Sequence, residues 1–235
     1  MAEKKESLSS SEVFRYGGYG TLLLIALIFF VGLYPLMMGG LVSRALGMLI
    51  VFGILVFGTF VASRSRLQWT ICVILVILCL ATQVLWLVTQ DTRIEATMMS
   101  LFAIFCLYTA IVILRHVLGF GPLYADRVHA ALSVYILLAL AWAGAYAMLE
   151  IVQPGAFSIP AAFGHNPAEP KGMNLLMTMF HFSMTTLTST GYGDITPLAP
   201  FARSLSTLEQ LIGVLYVAVL ISRLIGLYPS EEEEK

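Results

Sequence analysis

Charge is scarce in this chain: Asp, Glu, Lys and Arg make up 11% of its 235 residues, against about 25% in an ordinary soluble domain. Water cannot be the main solvent for such a surface. Neither sign of charge is in excess, since 13 basic and 14 acidic residues leave a net charge of -1. A nucleic-acid partner, which needs a basic patch, is therefore not expected. Cysteine is limited to three residues, Cys72, Cys79 and Cys106, each inside an apolar run. They lack metal-ligand spacing and read as small hydrophobes, which excludes a disulfide framework and a zinc site. His116, His129 and His181 are isolated, with no paired acids on the same runs. No catalytic constellation is visible, so neither an enzyme nor a bound cofactor is expected.

What is present in excess is hydrophobic sequence, 59% of the chain. A membrane-spanning helix needs about 20 mostly apolar residues, and six runs qualify. They cover Gly18 to Met38, Ala45 to Ala62, Leu67 to Thr89, Ala96 to Leu118, Val128 to Val152 and Phe201 to Leu227. The runs are too long for barrel strands and do not alternate, so the expected fold is an all-α membrane protein with six transmembrane helices. The first run is followed by Tyr34-Pro35 and a second span rather than by a small-residue cleavage site. It is expected to be retained.

Basic residues sort by side of the membrane. A cytoplasmic N-terminus places Lys4, Lys5, Arg15, Arg64, Arg66, Arg115, Arg127, Arg223 and Lys235 inside. Only Arg44, Arg93, Lys171 and Arg203 then fall outside. Both termini are expected in the cytoplasm, with lipid as the surrounding partner and the cell membrane as the location. Residues 1–17 form a short cytoplasmic segment, and 228–235 an acidic tail that includes Glu231 to Glu234.

The connection between the fifth and sixth runs is unlike the others. Gln153 to Lys171 contains Pro154, Gly155, Pro160, Gly164, Pro167 and Pro170. It reads as a non-helical outer turret over 153–173. Asn174 then offers an N-cap for a short helix over 174–186. About three turns cannot cross a bilayer, so this segment must enter and return. Irregular backbone at membrane depth survives only when buried in protein or lining a water-filled path. A re-entrant helix and loop are expected between the fifth and sixth spans.

Directly after that short helix stand Thr188-Ser189-Thr190-Gly191-Tyr192-Gly193-Asp194. Thr185 and Thr186 precede the segment, and Ile195-Thr196-Pro197 follows it. This string resembles the selectivity filter of potassium channels, and in particular that of bacterial ones with a single pore loop per chain. The resemblance covers about Val128 to Leu227. It implies a pore domain over 128–227, with an outer helix, the turret, a pore helix, a filter over 188–194 and an inner helix over 201–227.

The resemblance further implies a homotetramer that conducts K+ passively. Potassium must exchange its hydration shell for rings of carbonyl oxygens contributed by four subunits. Ser189, Thr190, Gly191 and Tyr192 would supply the ion-facing oxygens, with Gly193 completing the filter. Successive carbonyls can face one axis only if the backbone alternates in hand, which suits Gly191 and Gly193 to positive φ. Thr188, Thr185 and His181 would support the filter, with His181 facing Asp194 where many potassium channels carry a tryptophan. The C-terminal end of the pore helix, near Thr185 and Thr186, would favour a cation at mid-membrane.

On the sixth run, Gly213 stands 22 residues after Gly191, where many potassium channels place a hinge. Close helix packing explains a membrane glycine equally well. Val214, Val217 and Ile221 would line the cavity on the resemblance. Glu209, one turn earlier, is a carboxylate inside an apolar run and needs a partner. Asp194, His181, Thr185 and Thr186 are candidate neighbours. Glu150 reads as merely interfacial.

The first four runs, 18–118, match a voltage-sensor domain only in number. A sensor needs several arginines at three-residue spacing, and the fourth run offers only Arg115, a snorkelling side chain at the inner interface. Voltage sensing is not expected. With no ligand-binding domain in sight, the gating stimulus and any regulatory partner stay open. Two other readings remain beside the potassium channel. One is a weakly selective cation channel of the same architecture; the other is a membrane scaffold or enzyme with an incidental Gly-Tyr-Gly.

Overall fold

The computed structural model describes residues 19–33, 66–118, 125–160 and 172–225, together with Gly53. Six helices and two very short strands follow one another there: α1 (Tyr19–Gly32), α2 (Arg66–Thr89), α3 (Thr92–Val117), α4 (Ala125–Val152), β1 (Phe157–Ser158), α5 (Gly172–Leu187), β2 (Thr196–Pro197) and α6 (Pro200–Ile225). Four of these helices are long and apolar enough to cross a membrane: α2, α3, α4 and α6. They correspond to the third to sixth expected spans. The first expected span is represented by the 14 residues of α1, and its continuation to Met38 lies outside the described residues. So do the second span, apart from Gly53, the segment 1–17, turret residues 161–171 and the acidic tail 228–235.

The helix starts have local causes, and several fall earlier than the apolar runs suggest. Only Gln90 and Asp91 separate α2 from α3. Gln90 takes a left-handed φ of 52° to reverse the chain, and Asp91 Oδ1 accepts from the Arg93 N–H at 2.8 Å. Asp91 thus caps the first turn of α3, which begins at Thr92 rather than Ala96. Pro200 opens α6, where its missing N–H costs nothing.

Packing centres on α4. It lies against α3, α1, α5 and α6, with small buried residues Ala139, Ala143 and Ala147 along its length. At Gly144 an added Cβ would meet Ala103 Cβ and the Met99 carbonyl oxygen, each at 3.0 Å. Close backbone approach of this kind is how helices associate where lipid supplies no hydrophobic drive. By contrast, α2 and α6 leave most of their apolar side chains exposed. The three cysteines are free thiols buried in the helix packing.

The short helix α5 is enclosed on nearly all sides, with Leu175, Leu176, Met177, Met179, Phe180 and Phe182 all buried. Phe182 forms an edge-to-face triangle with Tyr146 of α4 and Phe157 of β1, ring centroids 5.2–5.4 Å apart. Such aromatic pairs add to simple area burial. The strands pair antiparallel, Phe157 with Pro197 and Ser158 with Thr196, so the chain leaving α4 is joined to the chain entering α6.

Two expectations are corrected here. Asn174 does not cap α5, because the helix already includes Gly172; its Oδ1 is buried without a hydrogen-bond partner. The Gly172 N–H instead donates to Glu95 Oε1 of α3 at 2.6 Å, which places a carboxylate at the positive end of the helix. Glu150 is not merely interfacial either. It is 2% exposed, and its two oxygens accept from the Gly155 and Phe157 N–H groups at 2.9 and 3.0 Å. The turn after α4 leaves backbone donors facing inward, and the last carboxylate of the helix satisfies them.

Candidate functional site

The segment after α5 is shaped by the carbonyls that end that helix. Thr188 N–H bonds to the Met184 carbonyl and Ser189 N–H to that of Thr186. The Thr185 carbonyl then accepts twice, from Thr190 N–H at 2.8 Å and from Gly191 N–H at 3.1 Å. A helix terminus leaves its last carbonyls without internal partners, and here the emerging strand supplies them. Thr185 is itself buried, its hydroxyl bonded back to the Phe182 carbonyl.

From Ser189 onward the backbone alternates in hand. Positive φ occurs at Ser189 (57°), Gly191 (54°) and Gly193 (76°), while Thr190 and Tyr192 between them have ordinary φ. The two glycines adopt this conformation without strain. Ser189 adopts it despite its Cβ, a position that reasoning from glycine alone misses. The five residues 189–193 are exposed in the single chain. Thr188 Oγ1 and Thr190 Oγ1 lie 2.9 Å apart, so each threonine holds the other's hydroxyl.

Behind this strand, His181 Nε2 stands 2.8 Å from Asp194 Oδ2. Asp194 Oδ1 also accepts from the Ile195 N–H at 3.0 Å. The His181 ring lies over Tyr192, with centroids 6.1 Å apart and planes 20° from parallel. Burial pushes the Asp194 carboxyl up. The hydrogen bond from His181, the Ile195 N–H and the nearby imidazole outweigh it, and the group rests below its usual 3.8.

On α6, Val214, Val217 and Ile221 are all exposed in the single chain. The helix runs unbroken through Gly213, whose face is pressed against the end of α5. A Cβ there would collide with the Leu187 carbonyl oxygen. The contact supports the close-packing reading of Gly213. Tyr135 of α4 donates to the same Leu187 carbonyl at 2.9 Å.

Glu209 is fully buried, but its partners are none of the four candidates read from the sequence. They are Tyr146 of α4, whose hydroxyl donates to Oε2 at 2.6 Å, and Ser183 of α5, which pairs with Oε1. Asp194, His181, Thr185 and Thr186 are engaged elsewhere. Helix phase explains the difference. On α5, Ser183 lies on the side turned toward α4, where its hydroxyl also reaches the Ala139 carbonyl at 2.8 Å. The readable signals were a lone serine in an apolar helix and a tyrosine three-quarters of the way along an apolar span.

A short buried helix and a strand of alternating hand are thus set between two helices long and apolar enough to cross a membrane. Residues 134–228 match the family model described as Ion channel, which is consistent with the potassium channels that this part of the chain resembles. The match takes in α4 from Val134 onward, the strand pair, α5, the alternating strand and α6. No curated protein and no solved structure matches the chain.

Proposed function

We propose that the chain is one subunit of a homotetrameric, potassium-selective channel of the cell membrane. Its six spans carry a re-entrant α5 between the last two, and both termini lie in the cytoplasm. The single observation that carries this reading is the alternation of backbone hand from Ser189 to Gly193 on an exposed strand. Consecutive carbonyls can be turned to one side only by such alternation, and a column of carbonyls is what dehydrated potassium requires. Ser189, Thr190, Gly191 and Tyr192 bind the ion, and Gly193 completes the strand. Thr185, Thr188, His181 and Asp194 hold it from behind. One chain offers one wall of such a site, so the exposed faces of 189–193 and of Val214, Val217 and Ile221 are surfaces that symmetry-related copies complete.

Conduction needs no chemical step. The ion exchanges water for oxygens at each ring and moves on as the next ion enters. The C-terminal end of α5 contributes its partial negative charge toward the entering cation. The test is the reversal potential of purified protein in planar bilayers, with potassium on one side and sodium on the other. A potential close to the potassium equilibrium value is expected. A value near zero would make the protein a weakly selective cation channel, and absence of current would return it to the scaffold reading.

A further inference from the structure

Among the described residues Glu209 has no counter-charge. No basic side chain among the described residues forms an ion pair with it. Several titratable groups described on the helices packed around it have other partners. On α4, Tyr135 donates to Leu187 and Glu150 accepts from Gly155 and Phe157. On α5, His181 pairs with Asp194. On α6 itself, Arg203 donates to Pro197 and Tyr216 to Ala131. A bare carboxylate at zero exposure, in the middle of an apolar bundle, is strongly disfavoured.

The protons around it can be counted. A hydroxyl carries one, and a backbone carbonyl can only accept. Ser183 Oγ touches two oxygens, the Ala139 carbonyl and Glu209 Oε1, but has a single proton to place between them. Tyr146 gives its own proton to Oε2. With an ionised carboxylate, one of the two Ser183 contacts is oxygen against oxygen with no hydrogen between. The count closes when Oε1 bears a proton. Tyr146 then donates to Oε2, Oε1–H donates to Ser183 Oγ, and Ser183 donates to the Ala139 carbonyl.

We propose that Glu209 is held as a neutral carboxylic acid whose proton ties α6 to α5 and so positions the filter. Ser183 sits on the same rigid helix whose Thr185 and Thr186 carbonyls anchor residues 189–191. One turn beyond Glu209, Gly213 presses on Leu187, so α6 grips α5 at two successive levels. Glu209 is a positioning residue: it touches no ion and acts through Ser183. Its effect on conduction rests on the potassium-channel reading above, whereas its protonation does not.

The test has a spectroscopic arm and an electrical one. Infrared difference spectra of wild type against Glu209→Gln should show a carboxylic-acid C=O band that the variant lacks and that Ser183→Ala shifts. Absence of that band in folded wild type overturns the proposal, whether or not the protein conducts. In bilayers, Glu209→Gln can donate its amide N–H to Ser183 and accept from Tyr146, which reproduces the neutral acid. It should keep sustained potassium current. Glu209→Ala and Ser183→Ala should each shorten conducting periods about tenfold, the equilibrium equivalent of one hydrogen bond, and the double variant should be no worse than either. Loss of current in a correctly assembled Glu209→Gln, or additive losses in the double variant, would refute the coupling. A wild type without potassium current sinks the functional reading and leaves the infrared result intact.

Discussion

His181 and Asp194 are bridged at 2.8 Å, across the stretch of chain that contains all the positive-φ residues of the candidate filter. The imidazole therefore fixes the far end of the strand to the helix that begins it. Replacement by tryptophan keeps a ring N–H donor. His181→Trp is expected to match wild type in current stability from about pH 5.5 to 8, and His181→Ala to lose sustained current. A pH response in wild type that the tryptophan variant lacks would contradict this.

The lowered Asp194 carboxyl has a definite sign in pH. Because its folded value lies below the unfolded one, its contribution is complete above the ordinary carboxylate range and is lost as pH falls through the lowered value. External acid should thus leave the pair intact until below about pH 4. Single-channel recordings over an external acid titration check this, and failure already near pH 6 would contradict it.

In the single chain Gly191 and Gly193 have open space where a Cβ would stand, so alanine there meets no clash within its own subunit and acts through the backbone. Left-handed φ costs an L-residue about 1–2 kcal/mol. Either alanine variant should assemble yet lose potassium over sodium selectivity in the reversal potential. Unchanged selectivity in both would remove the filter assignment.

Gly213→Ala separates two roles. If the glycine serves packing, the new methyl group forces Leu187 away, at about 1–3 kcal/mol for an overpacked contact. Thermal stability in detergent should fall along with sustained current. A hinge would predict unchanged stability with slower opening.

Glu150→Ala should be among the more damaging single changes outside the filter. It strands the buried Phe157 amide, at about 1–3 kcal/mol without a partner, and leaves that of the exposed Gly155 to water. A clear drop in the thermal midpoint of the solubilised protein is expected, and a drop within the error of wild type would mean that water takes over the bonds.

The voltage dependence of opening should be shallow. Helix α3 carries Arg93 in its first turn and Arg115 near its last, with none between. Each charge crossing the field is worth only about 2.3 kcal/mol per 100 mV. A conductance–voltage relation as steep as that of an arginine-rich sensor would show that other groups move through the field.

Spans three to six were legible because lipid imposes length and apolarity on them. The alternating strand was legible because only glycine takes positive φ freely. Contacts between distant residues were not. Glu209 has four plausible neighbours by proximity in the chain, but its true partners depend on how α4 and α5 turn against it. Asn174 looked like a cap by residue type, while the cap came from Glu95 on a helix far away in the chain. Ser189 was hidden for the opposite reason: the backbone imposes its conformation on whichever side chain stands there. The pairing of Phe157 with Pro197 spans two residues, too few for any alternation to show.

That small ladder has a mechanical consequence. With β1 and β2 stitched together and Glu150 pinning the turn beneath them, the chain between α4 and α6 is a closed eyelet whose neck bears load. A pull transmitted along the backbone from α4 or from α6 is taken up first at that neck. The candidate filter, which hangs inside the eyelet, is relieved of that strain.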